Sequence, residues 1–131
     1  MADIVLDTHA CLYALASPEK LGVKARRALK EVEAGRGTAW IPAAVVAEII
    51  LLRELGRTSI GLPELTSAMD QAPSLRFLPL DLQQLDEFSA HISIRDPFDR
   101  LILSACRTAH ARLVTQDRFL RECGLVQTVW S

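Results

Sequence analysis

The sequence predicts an α/β fold, a three-layer α/β/α sandwich on a central, mostly parallel sheet. Three observations carry this. Short apolar runs such as Ile4-Val5-Leu6 alternate with longer amphipathic stretches, the pattern of strands joined by crossover helices. A strand with no polar alternation is buried on both faces, as in parallel sheets covered by helices. The chain has 131 residues, 50% hydrophobic and 24% charged, which suits one domain over residues 1–131 and excludes intrinsic disorder.

Each element has its own signal. Ile4-Val5-Leu6 is the first strand. A helix follows from about His9 to Ala16 and breaks at Ser17-Pro18. A second helix covers about Leu21 to Ala34 and stops at Gly35 and Gly37. Thr38 to Ile41 is the second strand, ended by Pro42. Ala43 to Leu55 is a long helical run closed by Gly56, and Pro63 to Gln71 is a shorter one. Leu75 to Leu78 is the third strand, after which Asp81 caps a helix to about His91. Pro97 opens a helix to about Ala111, in the first-turn position that Pro favours. Leu113-Val114-Thr115 is the fourth strand. A short helix near Phe119 and a strand over Val126 to Val129 end the chain.

Composition narrows the function. Fifteen Lys+Arg against 16 Asp+Glu give a net charge of −1, which excludes a chain-wide cationic nucleic-acid binder. Three cysteines, Cys11, Cys106 and Cys123, have no paired spacing, so a reducing, cytoplasmic setting is expected rather than a disulfide scaffold. No apolar run approaches the ~18 residues of a membrane span. The start, Met1 to Asp7, carries an acid and no basic leader, so no signal peptide is expected. The apolar excess predicts a surface for an apolar partner.

Ligands of a parallel sheet bind beyond the carboxyl ends of its strands, so the residues that follow each strand are the candidates for a site. Asp7 directly follows the first strand, where a helix N-cap is the structural role open to it. Glu48 lies among Ala44, Val45, Leu51, Leu52 and Leu55 at helical spacing, so it is expected on the buried face, where a lone carboxylate is costly. Pairing with an arginine in the core is its structural alternative. Asp99 sits in the first turn of the Pro97 helix, which favours an acid, yet it shares a stripe with Ile102, Leu103 and Cys106. Asp96, just before Pro97, is read as the N-cap of that helix. Asp117 comes two residues after the fourth strand and would cap the helix at Phe119. Thr115 lies between that strand's end and the acid, placed to hydrogen-bond a neighbouring carboxylate. If the four acids converge, their repulsion demands cations or protons. Oxygen ligands without matching His or Cys select hard ions, Mg²⁺ or Mn²⁺. Such a site activates water and steadies a phosphoryl transition state.

These residues resemble those of the PIN-domain ribonucleases, and among them the VapC-type toxins of toxin–antitoxin pairs. Val5-Leu6-Asp7-Thr8-His9-Ala10 looks like the family's opening strand and first acid. Ala47-Glu48-Ile49, with Gly56-Arg57 downstream, looks like its second-acid helix, although Ala47 stands where many relatives carry Trp. Asp96-Pro97-Phe98-Asp99-Arg100-Leu101-Ile102-Leu103 looks like its third-acid motif, and Leu113-Val114-Thr115-Gln116-Asp117 its fourth. The resemblance implies a Mg²⁺- or Mn²⁺-dependent endoribonuclease that cuts RNA, with tRNA or ribosomal RNA loops among the family's substrates. It implies a homodimer and a VapB-type antitoxin whose tail blocks the site. Asp7, Glu48, Asp99 and Asp117 would be the catalytic and metal-holding residues, supported from behind by Thr8 and Thr115, with Asp96 beside them.

Other readings fit less well. Asp7-Thr8-His9-Ala10 lacks the glycines of a nucleotide-binding turn. Cys106 and His110 lie four apart but have no second pair to complete a zinc site. A metal-dependent phosphatase usually has a second acid two residues after the first, where this chain has His9. His9 is expected to pack on the first helix. Arg95, Arg100, Arg107, Arg112 and Arg118 are expected mostly in solvent, a few paired with the acids. The alternative from another class is a catalytically inactive PIN-like module that binds RNA or protein. Such a module is expected to have lost at least one acid, and all four are present.

Overall fold

Strand β1 (Ile4–Leu6) is the centre of the molecule, and its burial reports the layering at once. Ile4, Val5 and Leu6 are 0%, 0% and 1% exposed. Successive strand residues face opposite ways, so both faces of the sheet are covered. The computed structural model describes residues 3–131; Met1 and Ala2, part of the expected leaderless start, lie outside the described residues.

The sheet has five strands in the order β3-β2-β1-β4-β5, adding β2 (Ala39–Pro42), β3 (Leu75–Leu78), β4 (Arg112–Val114) and β5 (Thr128–Val129). All four pairings are parallel, more uniform than the mostly parallel sheet expected. The helices are α1 (Thr8–Ala16), α2 (Val23–Glu33), α3 (Ala43–Glu54), α4 (Leu62–Gln71), α5 (Leu82–Ala90), α6 (Pro97–Ala109) and α7 (Arg118–Glu122). α6 packs on β1 and β4, α3 packs on α1, α6 and β2, and α2 packs against β5. Among the described residues, no helix is long and apolar enough to cross a membrane.

The boundaries moved for local reasons. α1 starts at Thr8, because Asp7 caps it one residue earlier than expected. Pro42 pairs in β2 opposite Leu78 and also serves as N-cap of α3. It ends the strand without any intervening loop. α2 starts at Val23 because Pro18–Lys20 forms a separate 3₁₀ turn. Gly22 then passes so close to the C-terminal segment that a Cβ there would lie 2.2 Å from the Trp130 carbonyl oxygen. That contact lets the Ala25 N–H donate to the same oxygen at 2.9 Å. β5 has two residues rather than four, since its ladder pairs only Leu113 and Val114 of β4.

The strand order positions the functional edge. From β1 the chain crosses to β2 on one side. β4 lies on the other side and leads outward to β5. The crevice between β1 and β4 is therefore where the winding reverses, the ligand-binding position of open parallel sheets. The register Leu6↔Val114 brings the carboxyl ends of these two strands side by side.

Candidate active site

A cavity of about 420 Å³ opens at this crevice, and Asp7, Glu48, Asp99 and Asp117 all line it. The four acids come from four elements. Asp7 leaves β1, Asp117 follows β4, Glu48 projects from the middle of α3, and Asp99 from the first turn of α6. Ile102, one helical turn beyond Asp99, supplies an apolar wall.

Capping and cavity lining turn out to be compatible roles. Asp7 Oδ1 accepts the Ala10 N–H at 2.8 Å, and Asp117 Oδ1 accepts the Leu120 N–H at 2.9 Å. Each cap bond engages one carboxylate oxygen and fixes the side chain. Asp96 is the N-cap of α6, with Oδ1 accepting the Asp99 N–H at 3.0 Å. It thereby holds the backbone of the acid that reaches the cavity.

Two threonines tie the acids together. The Thr115 hydroxyl, wholly buried, accepts the Asp117 N–H at 3.0 Å and hydrogen-bonds the Asp7 carboxylate. One hydroxyl thus links the acids after β1 and β4. The Thr8 hydroxyl donates to Glu48 Oε1, connecting α1 to α3.

The electrostatics report crowding. Burial raises the Asp7 carboxyl above its ordinary range, against hydrogen bonds from Thr115 and Ala10 that lower it. Asp99 is pushed up to about 7, first by burial and then by the charges of Asp96, Asp117, Glu48 and Asp7. An unfolded Asp titrates near 3.9. Between about pH 4 and pH 7 the folded chain therefore holds a proton on Asp99 that the unfolded chain has lost, and stability falls as pH rises. Asp7 acts in the same direction. Asp99 is only partly buried and lines an open cavity, so solvent screening limits its share to about 1 kcal/mol or less. Urea unfolding of chelator-treated protein should give lower stability at pH 8 than at pH 5, with the gap smaller in Asp99→Asn. Equal stability at both pH values would contradict this account.

The donor set suits a hard divalent cation, being carboxylate oxygens that otherwise repel one another. Among the described residues, no three His, Cys, Asp or Glu side chains close tightly around one point. The acids instead line the walls of an open space.

Several expectations need correction. Glu48 does lie on the buried face of α3, beside Ala44 and Val45 at helical spacing, but that face does not extend to the C-terminal end of the helix. Leu51 and Leu55, expected to be buried beside it, are 45% and 67% exposed. α3 is apolar around most of its circumference, so sequence periodicity does not single out the core face. His9 stacks loosely on Tyr13, with ring centroids 6.1 Å apart, but it is exposed and lines the cavity. Gln116 lines it too, with its amide 3.4 Å from the Tyr13 hydroxyl. Sequence reading missed Gln116, although its place between Thr115 and Asp117 was a usable signal. The paired arginines bind other acids: Arg107 bonds Glu87 at 2.8 Å and Arg118 bonds Glu122 at 3.0 Å. Arg100 stacks 4.0 Å from the Phe88 ring centre and donates to the Phe88 carbonyl. Cys106 and His110 are separated in role, since the Cys106 thiol donates to the Ala111 carbonyl and His110 terminates α6 in a left-handed conformation.

A family model described as PIN domain matches residues 4–124. Among solved structures, the chain is similar to a chain of the VapBC2 complex of Rickettsia felis bound to a promoter DNA fragment. That match has a TM-score of 0.72 at 17% identity, covering 98% of this chain and 99% of that one. It is also similar to a chain of DNA-bound VapBC from Salmonella typhimurium, with a TM-score of 0.68 at 16% identity and 98% coverage of both. FitAcB from Neisseria gonorrhoeae gives a TM-score of 0.60 at 18% identity, with 95% of each chain covered. A sequence search of curated proteins returns no match.

Proposed function

This chain belongs to the PIN domain family, and from that membership we propose that it is a Mg²⁺- or Mn²⁺-dependent endoribonuclease, the toxin of a VapC-type pair. One observation carries the reading: four acids from four separate elements line one cavity at the reversal point of the sheet. The VapBC and FitAB likenesses support the fold that such toxins use. In this reading residues 1–131 act as one domain, as a cytoplasmic homodimer held in check by a VapB-type antitoxin. The exposed leucines of α3, Leu51 and Leu55, support a covered apolar surface.

Asp7, Glu48, Asp99 and Asp117 would hold the metal. Bound there, a divalent ion would lower the pKa of a water and neutralise charge on the scissile phosphate. The remaining work falls to the chain. Asp7 is immobilised by the Ala10 cap and Thr115, so it needs little reorganisation during reaction. Thr8 engages Glu48 Oε1 only, leaving the second oxygen to orient an attacking water. Asp99, already prone to protonation, has the most to gain from a neighbouring cation. His9 and Gln116 at the rim would offer donors to phosphate or ribose oxygens.

The test is cleavage of a pool of structured RNAs by purified protein with millimolar Mn²⁺, with and without chelator, beside thermal unfolding. Metal at ten times its dissociation constant should add about 1.4 kcal/mol, or a few degrees in midpoint. Metal-dependent internal cuts, abolished by chelator, are expected. No cleavage and no thermal shift would favour the inactive binding module.

A further inference from the structure

A second cavity, of about 320 Å³, shares Asp99 as a wall with the acid cavity. Its other walls are Ser93, Ile94, Arg95, Asp96 and Phe119. Ile94 is almost fully buried and floors it, while Phe119 is 53% exposed. Exposing that ring has no packing rationale. Its neighbour Leu120 fills the core, and Phe119 is carried outward by the short helix that Asp117 caps. The same helix start therefore sets an acid at one cavity and an aromatic ring at the other.

The charge arrangement points to what would occupy this space. Four carboxylates attract a metal but repel an RNA backbone, so the affinity for RNA must come from groups beside them. Arg95 is an exposed cation in the wall next to Asp99. Phe119 is an exposed flat apolar face in the same cavity. Single-stranded RNA is held by base stacking on aromatic rings combined with cations along its backbone.

We propose that this second cavity is a nucleobase pocket, which takes the base of an unpaired ribonucleotide adjoining the scissile phosphate. The base lies against the Phe119 ring, and the flanking phosphate lies near Arg95. The pocket rests on the ribonuclease reading and adds to it a position at which the enzyme selects its cleavage site. Because Asp99 lines both cavities, the two spaces adjoin, as the sites of neighbouring nucleotides must. Phe119 and Arg95 are positioning residues that bind the strand and leave the chemistry to the acids.

The experiment uses the full chain with Mn²⁺ on an RNA pool carrying a randomised single-stranded loop, with cut ends sequenced. Kinetics are then measured on a preferred substrate. Wild type is expected to show a base preference at one position beside the cut. Phe119→Ala should flatten that preference and raise KM roughly 5- to 100-fold, the scale of losing one stacked base, with kcat changed less than about twofold. Phe119→Trp should retain both. Arg95→Gln should raise KM and reduce the salt dependence of binding. A wild type that cleaves, with KM and preference unchanged in Phe119→Ala, overturns the pocket and leaves the ribonuclease reading intact. Equal losses in Phe119→Ala and Phe119→Trp, with a lowered thermal midpoint, overturn it in favour of a structural ring. No RNA cleavage by wild type with Mg²⁺ or Mn²⁺ overturns both readings.

Discussion

Asp99→Asn is expected to lower metal-dependent RNA cleavage by about 10²- to 10³-fold, the scale of removing one group that stabilises transition-state charge. The fold should survive. Asp99 is partly exposed at the cavity, and its backbone N–H is held by Asp96 whatever its side chain. The amide keeps the shape and removes a charge that Asp96, Asp117, Glu48 and Asp7 all oppose. Without metal, at pH 8, the variant should therefore be no less stable than wild type and slightly more so. With metal, the order should reverse, because wild type gains from binding and the variant does not. Paired urea melts with and without Mn²⁺, beside single-turnover cleavage, measure both effects. A variant that keeps its cleavage rate, or that unfolds without metal, would remove Asp99 from the site and leave it as a first-turn helix acid.

Thr115→Val should cost both activity and stability. The hydroxyl is fully buried and bonds two partners, the Asp117 N–H and the Asp7 carboxylate. Valine has nearly the same shape but offers neither donor nor acceptor. A buried group left unpaired costs about 1–3 kcal/mol, and loss of such an orienting partner lowers activity roughly 10- to 100-fold. Removing the Thr115 donor also leaves the Asp7 carboxyl free to rise further, so the acid limb of the pH–rate profile should shift upward. Thr115→Ser should recover most of the loss. A Thr115→Val enzyme with unchanged kcat and pH profile, only less stable, would reduce the threonine to packing.

The sequence was most legible where one residue decides one local event. Asp7, Asp96 and Asp117 were readable as caps because each is an Asp before a helix, and each does accept an N–H three residues on. Their second role was readable only from the ordering of strands and acids. β1, with three apolar residues and both faces buried, announced a covered parallel sheet. α3 was less legible: Ala43–Glu54 carries apolar residues on nearly every side, so periodicity put Glu48 on the buried face beside Ala44 and Val45 but misplaced Leu51 and Leu55. The edge strand β5 came out shorter than the four residues expected over Val126 to Val129, because a ladder extends only as far as its partner strand.

By itself, then, the sequence determined the alternation of strands and helices, the starts of the capped helices and the identity of the four acids. These depend on side-chain type and on neighbours within about a turn of helix, interactions that are local. Tertiary structure alone decided that Leu6 and Val114 lie side by side, that Thr115 bridges Asp7 to Asp117, and that Thr8 meets Glu48 forty residues away. It also turned Leu51 and Leu55 outward and set Phe119 beside Asp99. Those outcomes depend on strand order and helix rotation, which minimise exposed apolar area over the whole chain at once and leave no mark at any single position.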